Sequence, residues 1–496
     1  MSRRGFLTAA TVVGGGLVLA GCSNSDSSAV KDLQRRLKGQ VLVPADPKFA
    51  EANLPANDRY ESVIPMAIAL CATPEDVQTC VRWCVEEGVQ PVVRGGGHNY
   101  IGASTTTGLL IKTGAMNEVS VDAKVGTVTL GAGALNADLL SALRGGALML
   151  PIGTCPSVGV AGLVLGGGIG DNSRWAAMTC DHLESTTLVL ANGETVEASD
   201  TANPDLFWAL RGAAGGNFGI NTSLTFRLVE IPKPRITVFG MAFSGKDAMV
   251  AGWSAFDRLM LSAPNQLSGF AAVTNVRPLG ADNKPAARYA APFPTLTIDG
   301  SYQGTQEEAR EVLAPVINIR ATDLIMGELD YWDAQINWLA VGDMPKHGLE
   351  ECSRFTSEPI PTDRLAQLID RVLAAPGGTE DANAEVRLMC WSGGQVNQVA
   401  PDAMAYVHRS GNHLLRPAVW WRNQPPSMQR DLLDWTADTF AFISGFTQPG
   451  SFQNWPYSEQ KDWQQAYYGT NFDRLRQVKQ RYDPRNLFHY AQSIPV

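Results

Sequence analysis

The chain has 496 residues, a formal net charge of −9, 45% hydrophobic and 18% charged residues, 48 Gly and 8 Cys. That length exceeds one ordinary domain, and the apolar fraction belongs to a globular protein rather than a disordered one. An acidic chain whose 6 His and 8 Cys are widely spread is a poor candidate for an electrostatic nucleic-acid binder or a metal-cluster protein.

Residues 1–22 read as an address. Arg3-Arg4 precedes a weakly apolar run from Phe6 to Ala20, too short to span a bilayer comfortably. Leu19-Ala20-Gly21-Cys22 is similar to a lipobox. Cleavage of residues 1–21 would remove two positive charges and no acidic one, and would free Cys22 for lipid attachment. Ser23–Ser28 would remain as a polar tether, at the head of an N-terminal segment 22–59. The expectation is an extracytoplasmic lipoprotein, in the periplasm or at the cell surface. It would be exported folded by the twin-arginine machinery and touch the membrane only through its lipid.

Met66–Cys71 suits a strand. Thr73-Pro74-Glu75-Asp76 is a helix start: an N-cap Thr, Pro at the first turn and acids after it. Val77, Cys80, Val81, Cys84 and Val85 share a helical face, and Gly88 ends the helix. Pro91–Arg94 reads as a buried strand running into Gly95-Gly96-Gly97-His98. This is a β-α-β start. Leu109–Ile111 and Val128–Leu130 are short strands, and Leu135–Leu143 is a helix candidate. Asn192-Gly193 predicts a hairpin between Thr186–Ala191 and Thr195–Ala198. A short Asn-capped helix follows over Asn203–Leu210. Ile231-Pro232-Lys233-Pro234 reads as a linker. Beyond it, strands such as Thr295–Ile298 alternate with helices such as Thr305–Leu313 and Thr362–Leu373. Nine of the twelve Trp lie from Trp253 onward. Asn471–Tyr482 is a helix that Asp483-Pro484 stops.

Three glycine-rich stretches dominate the first half: Arg94–His98, Gly153–Gly170 and Arg211–Gly219. Such loops let backbone N–H groups approach phosphate oxygens with no Cβ in the way. None has the Gly-x-Gly-x-x-Gly or Gly-x-x-x-x-Gly-Lys-Ser/Thr form, which disfavours Rossmann and Walker sites. His98 directly follows three glycines, where a neutral imidazole suits attack on an electrophilic cofactor. Cys155 is flanked by Pro and Gly on a loop, which suits an accessible thiol better than a core one. Cys71, Cys80, Cys84, Cys180, Cys352 and Cys390 have no zinc-ligand spacing, and Cys80 and Cys84 read as reduced and buried.

Arg94-Gly95-Gly96-Gly97-His98-Asn99 and Gly153-Thr154-Cys155-Pro156-Ser157-Val158-Gly159 resemble the two attachment motifs of the berberine bridge enzyme-like oxidases. These are FAD-linked oxidases with the vanillyl-alcohol-oxidase (PCMH-type) fold. Asp205–Phe218, Tyr467–Leu475 and Asp483–Phe488 resemble further segments of that family, in its order. The resemblance implies an α+β fold: a two-subdomain PCMH-type FAD-binding domain (60–232) and an antiparallel-sheet substrate domain covered by helices (233–450). A C-terminal module (451–496) would return to the first domain.

It further implies FAD attached twice, through His98 at the 8α carbon and Cys155 at C6, which would raise the flavin potential. Arg94, Gly95, Gly96, Gly97, Asn99, Ser157, Val158, Gly159 and Gly162 would form the cradle. Asn217, Phe218, Gly219 and Ile220 would pack along the cofactor. Val158 resembles a gate that admits O2 where Leu would not. Tyr467 or Tyr468 would serve as the catalytic base. Ala176 departs from the family, standing where some members carry an aromatic partner. His408 and Arg409 would lie near flavin or substrate, or on the surface.

The implied activity is oxidation of an alcohol or hemiacetal, passing hydride to FAD and electrons to O2 to give H2O2. A sugar or oligosaccharide is favoured as substrate, with an aromatic or natural-product alcohol next. A dehydrogenase using another acceptor, or a non-catalytic ligand-binding lipoprotein, are the alternatives.

Overall fold

The computed structural model describes residues 25–277, 292–338 and 347–496. The expected export signal, with Arg3, Arg4 and Cys22, lies outside the described residues. Among them, no helix is long and apolar enough to cross a membrane.

The expected tether is partly structured, because a helix already runs over Ser25–Arg36. The reason lies beyond the polar stretch. Val30, Leu33 and Leu37 form an apolar stripe that packs with Cys80, Val81 and Trp83. Trp83 Nε1 also donates to the Ala29 carbonyl at 3.2 Å.

Among the described residues, three large sheets follow, beside a two-stranded pairing of Leu148–Met149 with Val229–Glu230. In the first, Ala67–Leu70 and Pro91–Arg94 both pair in parallel with Leu109–Lys112, which lies between them. Gln40–Leu42 adds an antiparallel edge, so the N-terminal segment is part of this sheet. The helix Pro74–Glu87 connects the two parallel strands. Thr73 accepts from the Asp76 N–H at 3.3 Å, and Gly88 closes the helix at φ 66°, the left-handed conformation glycine tolerates. The buried Asp76 carboxylate accepts from the N–H groups of Lys38, Gly39 and Ala72 at 2.8, 3.0 and 2.9 Å.

The second sheet is antiparallel, in the order Val119–Asp122, Thr127–Gly131, Gly219–Arg227, Leu183–Leu190, Thr195–Ser199. The Asn192-Gly193 hairpin joins the last two, with Gly193 at φ 75°. The helix Pro204–Leu210 forms, but Asn203 is left-handed at φ 48° and makes no cap bond. Its amide donates instead to the Glu197 carbonyl at 2.7 Å.

The third sheet has eight antiparallel strands. Its path runs Asp323–Asp330, Arg235–Ser244, Thr295–Tyr302, Leu267–Thr274, Ala382–Cys390, His413–Trp421, Gly348–Glu351, with Arg354–Thr356 also on His413–Trp421. The helices Lys246–Ser262, Gln306–Ile317 and Thr362–Leu373 cover one face, where Phe243, Trp253, Phe256, Leu313 and Leu368 form a core. Each such buried side chain contributes roughly 2–3 kcal/mol of apolar burial. With one face covered, side chains of the other are available to the FAD-binding half.

The last helices, Trp463–Tyr468 and Phe472–Tyr482, pack back on the first half. Lys479 anchors them there. Its fully buried ammonium donates to the Asn217 carbonyl (2.7 Å), the Phe488 carbonyl (2.6 Å) and Asp483 (2.6 Å). Burial lowers the lysine's pKa, and the Asp483 carboxylate opposes that shift.

Candidate active site

Two loops meet at the site because two glycines touch. A Cβ on Gly96 would stand 2.3 Å from the Gly159 nitrogen, and one on Gly159 would stand 2.6 Å from the Gly96 nitrogen. Only hydrogen at both positions permits this approach. It brings His98 to the Cys155 loop, where His98 Nε2 lies 2.6 Å from Ser157 Oγ. Asn136 holds the second loop from below. Its amide donates to the carbonyls of Cys155 (2.9 Å) and Gly153 (3.2 Å), and its N–H to that of Val158 (2.9 Å). Asn99 shapes the first loop by accepting from the N–H groups of Ile101 and Ala103 at 3.1 and 2.8 Å.

These loops border a cavity of about 300 Å³. Gly95, Gly96, Gly97, His98, Asn99 and Cys155 lie on its wall, as do Val158, Gly159, Gly162 and Gly219. Arg94, Ser157, Asn217, Phe218 and Ile220 do not, and each has a local reason. Arg94 turns backward. It donates to the carbonyls of Asn53 (2.6 Å) and Ser104 (2.9 Å), and burial lowers its pKa to about 10. It anchors the loop instead of contacting the cavity. Ser157 reaches the site through His98. Asn217 ties the third glycine loop to the C-terminus: it donates to Ala213 O at 2.9 Å and accepts from Ile494 N–H at 2.8 Å. Phe218 and Ile220 are buried in two of the hydrophobic cores.

The wall fits FAD on an observation of its own. A Cβ on Gly162 would meet no protein atom within 4 Å, although the residue borders the cavity. Its hydrogen therefore leaves open space for a ligand. Gly215 and Gly216, the latter at φ 74°, continue the same uncluttered backbone. Backbone N–H groups there are accessible to phosphate oxygens.

Tyr467 and Tyr468 both reach the wall, but both hydroxyls are engaged with backbone. Tyr468 donates to the Ala213 carbonyl at 2.9 Å, and Tyr467 accepts from the Tyr457 N–H at 3.0 Å. Burial pushes both phenols above their ordinary pKa. Arg409 is buried and His408 half-buried, and neither borders the cavity. His408 stacks on Phe355 at 4.5 Å and lies 3.1 Å from the Tyr467 carbonyl, and burial lowers its pKa to about 4. Arg409 pairs with Asp181 at 2.6 Å. Ala176 is buried, and its carbonyl bonds to His182. The six cysteines other than Cys22 and Cys155 are buried and unbridged.

Among the wall residues that the sequence reading did not single out are Tyr100, Arg387 and Arg416. Tyr100 follows His98 by two positions, a signal that was available. Among the described residues its hydroxyl makes no hydrogen bond. Burial, with Glu351, holds this phenol well above its ordinary pKa; Arg416 and Arg387 oppose that shift without cancelling it. The arginines come from neighbouring strands of the large sheet, where Arg387 stands directly opposite Arg416.

Comparison with known proteins gives two family matches, "FAD binding domain" over residues 65–199 and "Berberine and berberine like" over residues 451–495. The xylooligosaccharide oxidase of Thermothelomyces thermophilus is 30% identical over 505 residues, covering 96% of this chain and 96% of that protein. An uncharacterized FAD-linked oxidoreductase of Bacillus subtilis, YgaK, is 29% identical over 471 residues, covering 93% and 97%. The structure of the glucooligosaccharide oxidase from Acremonium strictum, described with 6-S-cysteinyl, 8α-N1-histidyl FAD, superposes with a TM-score of 0.82. It covers 95% of this chain and 99% of that one at 23% identity, a likeness of fold.

Proposed function

This chain belongs to the berberine bridge enzyme-like family of FAD-linked oxidoreductases, and from that premise we propose that it holds FAD by two covalent bonds, to His98 and Cys155, and oxidises a carbohydrate alcohol or hemiacetal with O2 as acceptor. The observation that carries this reading is the contact of Gly96 with Gly159, which sets His98 and Cys155 on the wall of one cavity. The double linkage described for the glucooligosaccharide oxidase and the oligosaccharide substrates named for two relatives support it.

The chemistry supplied by bound FAD is hydride acceptance from the substrate carbon and reoxidation by O2 to H2O2. The chain's own groups do the rest. The glycine N–H groups receive the diphosphate, and Ser157 orients the His98 ring through Nε2. Tyr100, whose hydroxyl is not spent on the protein, accepts the proton from the substrate hydroxyl; burial holds its phenol above the ordinary range, and Arg416 works against that shift in favour of the anion. Tyr467 and Tyr468 shape the wall. Val158, on the wall three residues past Cys155, leaves room for O2.

Acid precipitation tests the core of the reading. A yellow pellet is expected from the wild type, with one bond lost in each of His98→Ala and Cys155→Ala; flavin released wholly into the supernatant would refute it. Val158→Leu should slow reoxidation by O2 in stopped flow, and an unchanged rate would refute Val158 as the oxygen gate. Residues 1–22 support a twin-arginine lipoprotein anchored at Cys22. Membrane fractionation of Cys22→Ser should show release, and unchanged attachment would remove the anchor.

A further inference from the structure

Resting on that function, we propose that the substrate is an acidic saccharide, a hexuronate or a sugar ending in one, whose carboxylate is held by Arg387 and Arg416. Among the described residues bordering the cavity, these two are the only Asp, Glu, Lys or Arg side chains. The wall therefore carries two cations and no carboxylate.

The strand register makes this pairing costly without a purpose. Arg387 and Arg416 are direct cross-strand partners, and like charges in that position destabilise a sheet. Glutamates offset the cost from outside the wall. Arg416 donates to Glu351 through Nη2 at 2.7 Å, with Nε 2.6 Å from the other oxygen. Arg387 donates to Glu385 at 2.9 Å. Aromatic faces fix the guanidinium planes: Arg416 lies 5.0 Å over Trp455 and Arg387 5.3 Å over Phe270. Two oriented forks with donors left over suit a planar carboxylate, in a way that a flexible ammonium does not.

Three side-chain amide nitrogens nearby are already used. The amides of Gln453, Asn454 and Gln492 donate to the carbonyls of Gly212, Leu163 and Tyr457 at 2.6, 2.8 and 2.8 Å. What remains unspent is the arginine donors, one indole N–H and two acceptors, the buried Oε1 atoms of Gln453 and Gln492, which suit sugar hydroxyls. Trp391 Nε1, also on the wall, is buried without a hydrogen-bond partner. A ligand with donating hydroxyls as well as a carboxylate satisfies this set, and the indoles of Trp391 and Trp455 offer faces for a sugar ring.

The arginines border the same cavity as His98, Tyr100 and Cys155. Tyr100 lies within electrostatic reach of Cys155 and also of Arg416 and Arg387. A carboxylate held there keeps the rest of a sugar beside the flavin attachment residues and beside the proposed base, while the glycine loops serve the diphosphate.

The test uses the flavinylated enzyme. D-glucuronate is compared with D-glucose, and digalacturonate with cellobiose, by kcat/KM. Methyl β-D-glucuronoside is compared with methyl β-D-glucoside by perturbation of the flavin spectrum. The acidic member of each pair should lead by at least tenfold in kcat/KM and in Kd. Arg387→Gln should erase most of that lead while changing the neutral sugar less than threefold; Arg416→Gln should also erase the lead, read as the acidic-to-neutral ratio, because loss of its support for Tyr100 slows both sugars. The double variant Arg416→Gln/Glu351→Gln, which leaves no unpaired buried charge, should do the same if the single variant folds poorly. Neutral sugars turned over as well as acidic ones, or equal losses for both in the variants, would overturn the inference and leave the oxidase intact. Loss of FAD from the arginine variants would instead assign these residues to the cofactor and overturn it too. If no sugar of either kind reduces the flavin or perturbs its spectrum, the carbohydrate oxidase reading itself falls, and this inference with it.

Discussion

Gly96→Ala perturbs the site at its narrowest point. The added Cβ would stand 2.3 Å from the Gly159 nitrogen, 2.8 Å from the Ser157 carbonyl oxygen and 3.0 Å from Gly159 Cα. Non-bonded carbon contacts settle near 3.5 Å, so the loops must part by about 1 Å. The obstacles are backbone atoms, which cannot swing aside as a side-chain tip does. Overpacking of this kind costs about 1–3 kcal/mol, which a domain of this size survives. The functional cost is larger. Two bonds to one flavin ring require His98 and Cys155 in register, and a misplacement of about 1 Å costs on the order of 10²-fold in rate. The expected protein is folded, holds flavin by one bond or none after acid precipitation, and is reduced about 10²-fold more slowly in anaerobic stopped flow. Gly162→Ala is the comparator. Its Cβ meets no protein atom within 4 Å, so its thermal midpoint without cofactor should match wild type while FAD uptake falls. A Gly96→Ala enzyme carrying both bonds and the wild-type rate would show that the glycine contact does not set the spacing.

Four further substitutions test other parts of the structure. Tyr100→Phe should lower kcat by about 10²–10⁴-fold with flavin content unchanged. Tyr468→Phe, which loses only a bond to the Ala213 carbonyl, should cost about 1 kcal/mol of stability and little rate; the opposite ranking would return the base to the C-terminal pair. Lys479→Met strands the buried Asp483 carboxylate and should cost about 3–5 kcal/mol in denaturant unfolding, with partial recovery when Asp483→Asn is added; a loss under 1 kcal/mol would mean the pair is not the anchor. Burial raises Asp171 to about pH 6 despite its 2.5 Å bond from Ser301. The protonated acid is the form the native state prefers. Its contribution is therefore present below the unfolded pKa of about 3.9 and is lost as pH rises through about 6, a fall of roughly 3 kcal/mol. Asp171→Asn should flatten that segment of the stability profile, and an unchanged slope would exclude Asp171 as its source.

Local elements were legible because their causes are local. Thr73-Pro74, Gly88 and Asn192-Gly193 act within one turn of chain, and the helix, its end and the hairpin stand where those residues put them. The N-terminal helix was missed because its polar first turn resembles a tether, and the stripe that holds it, Val30, Leu33 and Leu37, lies further on. The side chains of Arg94 and Asn217 were misread for another reason. Both belong to glycine loops that line the cavity, yet each polar group is satisfied by a backbone partner behind the loop. A motif specifies the loop but not the direction of every side chain within it.

By itself, then, the sequence determined the glycine positions, and through them the two loops that bring an imidazole and a thiol to one place. A backbone approach of that closeness tolerates no Cβ, so its requirement is written residue by residue. Only the tertiary structure decided which phenol keeps its hydroxyl for a ligand. Tyr467 and Tyr468 are adjacent in chain, but their hydroxyls are claimed by Tyr457 and Ala213 from elsewhere in the fold. Only the sheet register could set Arg387 opposite Arg416, since pairing between strands depends on the alignment of whole segments and leaves no mark on either arginine's neighbours.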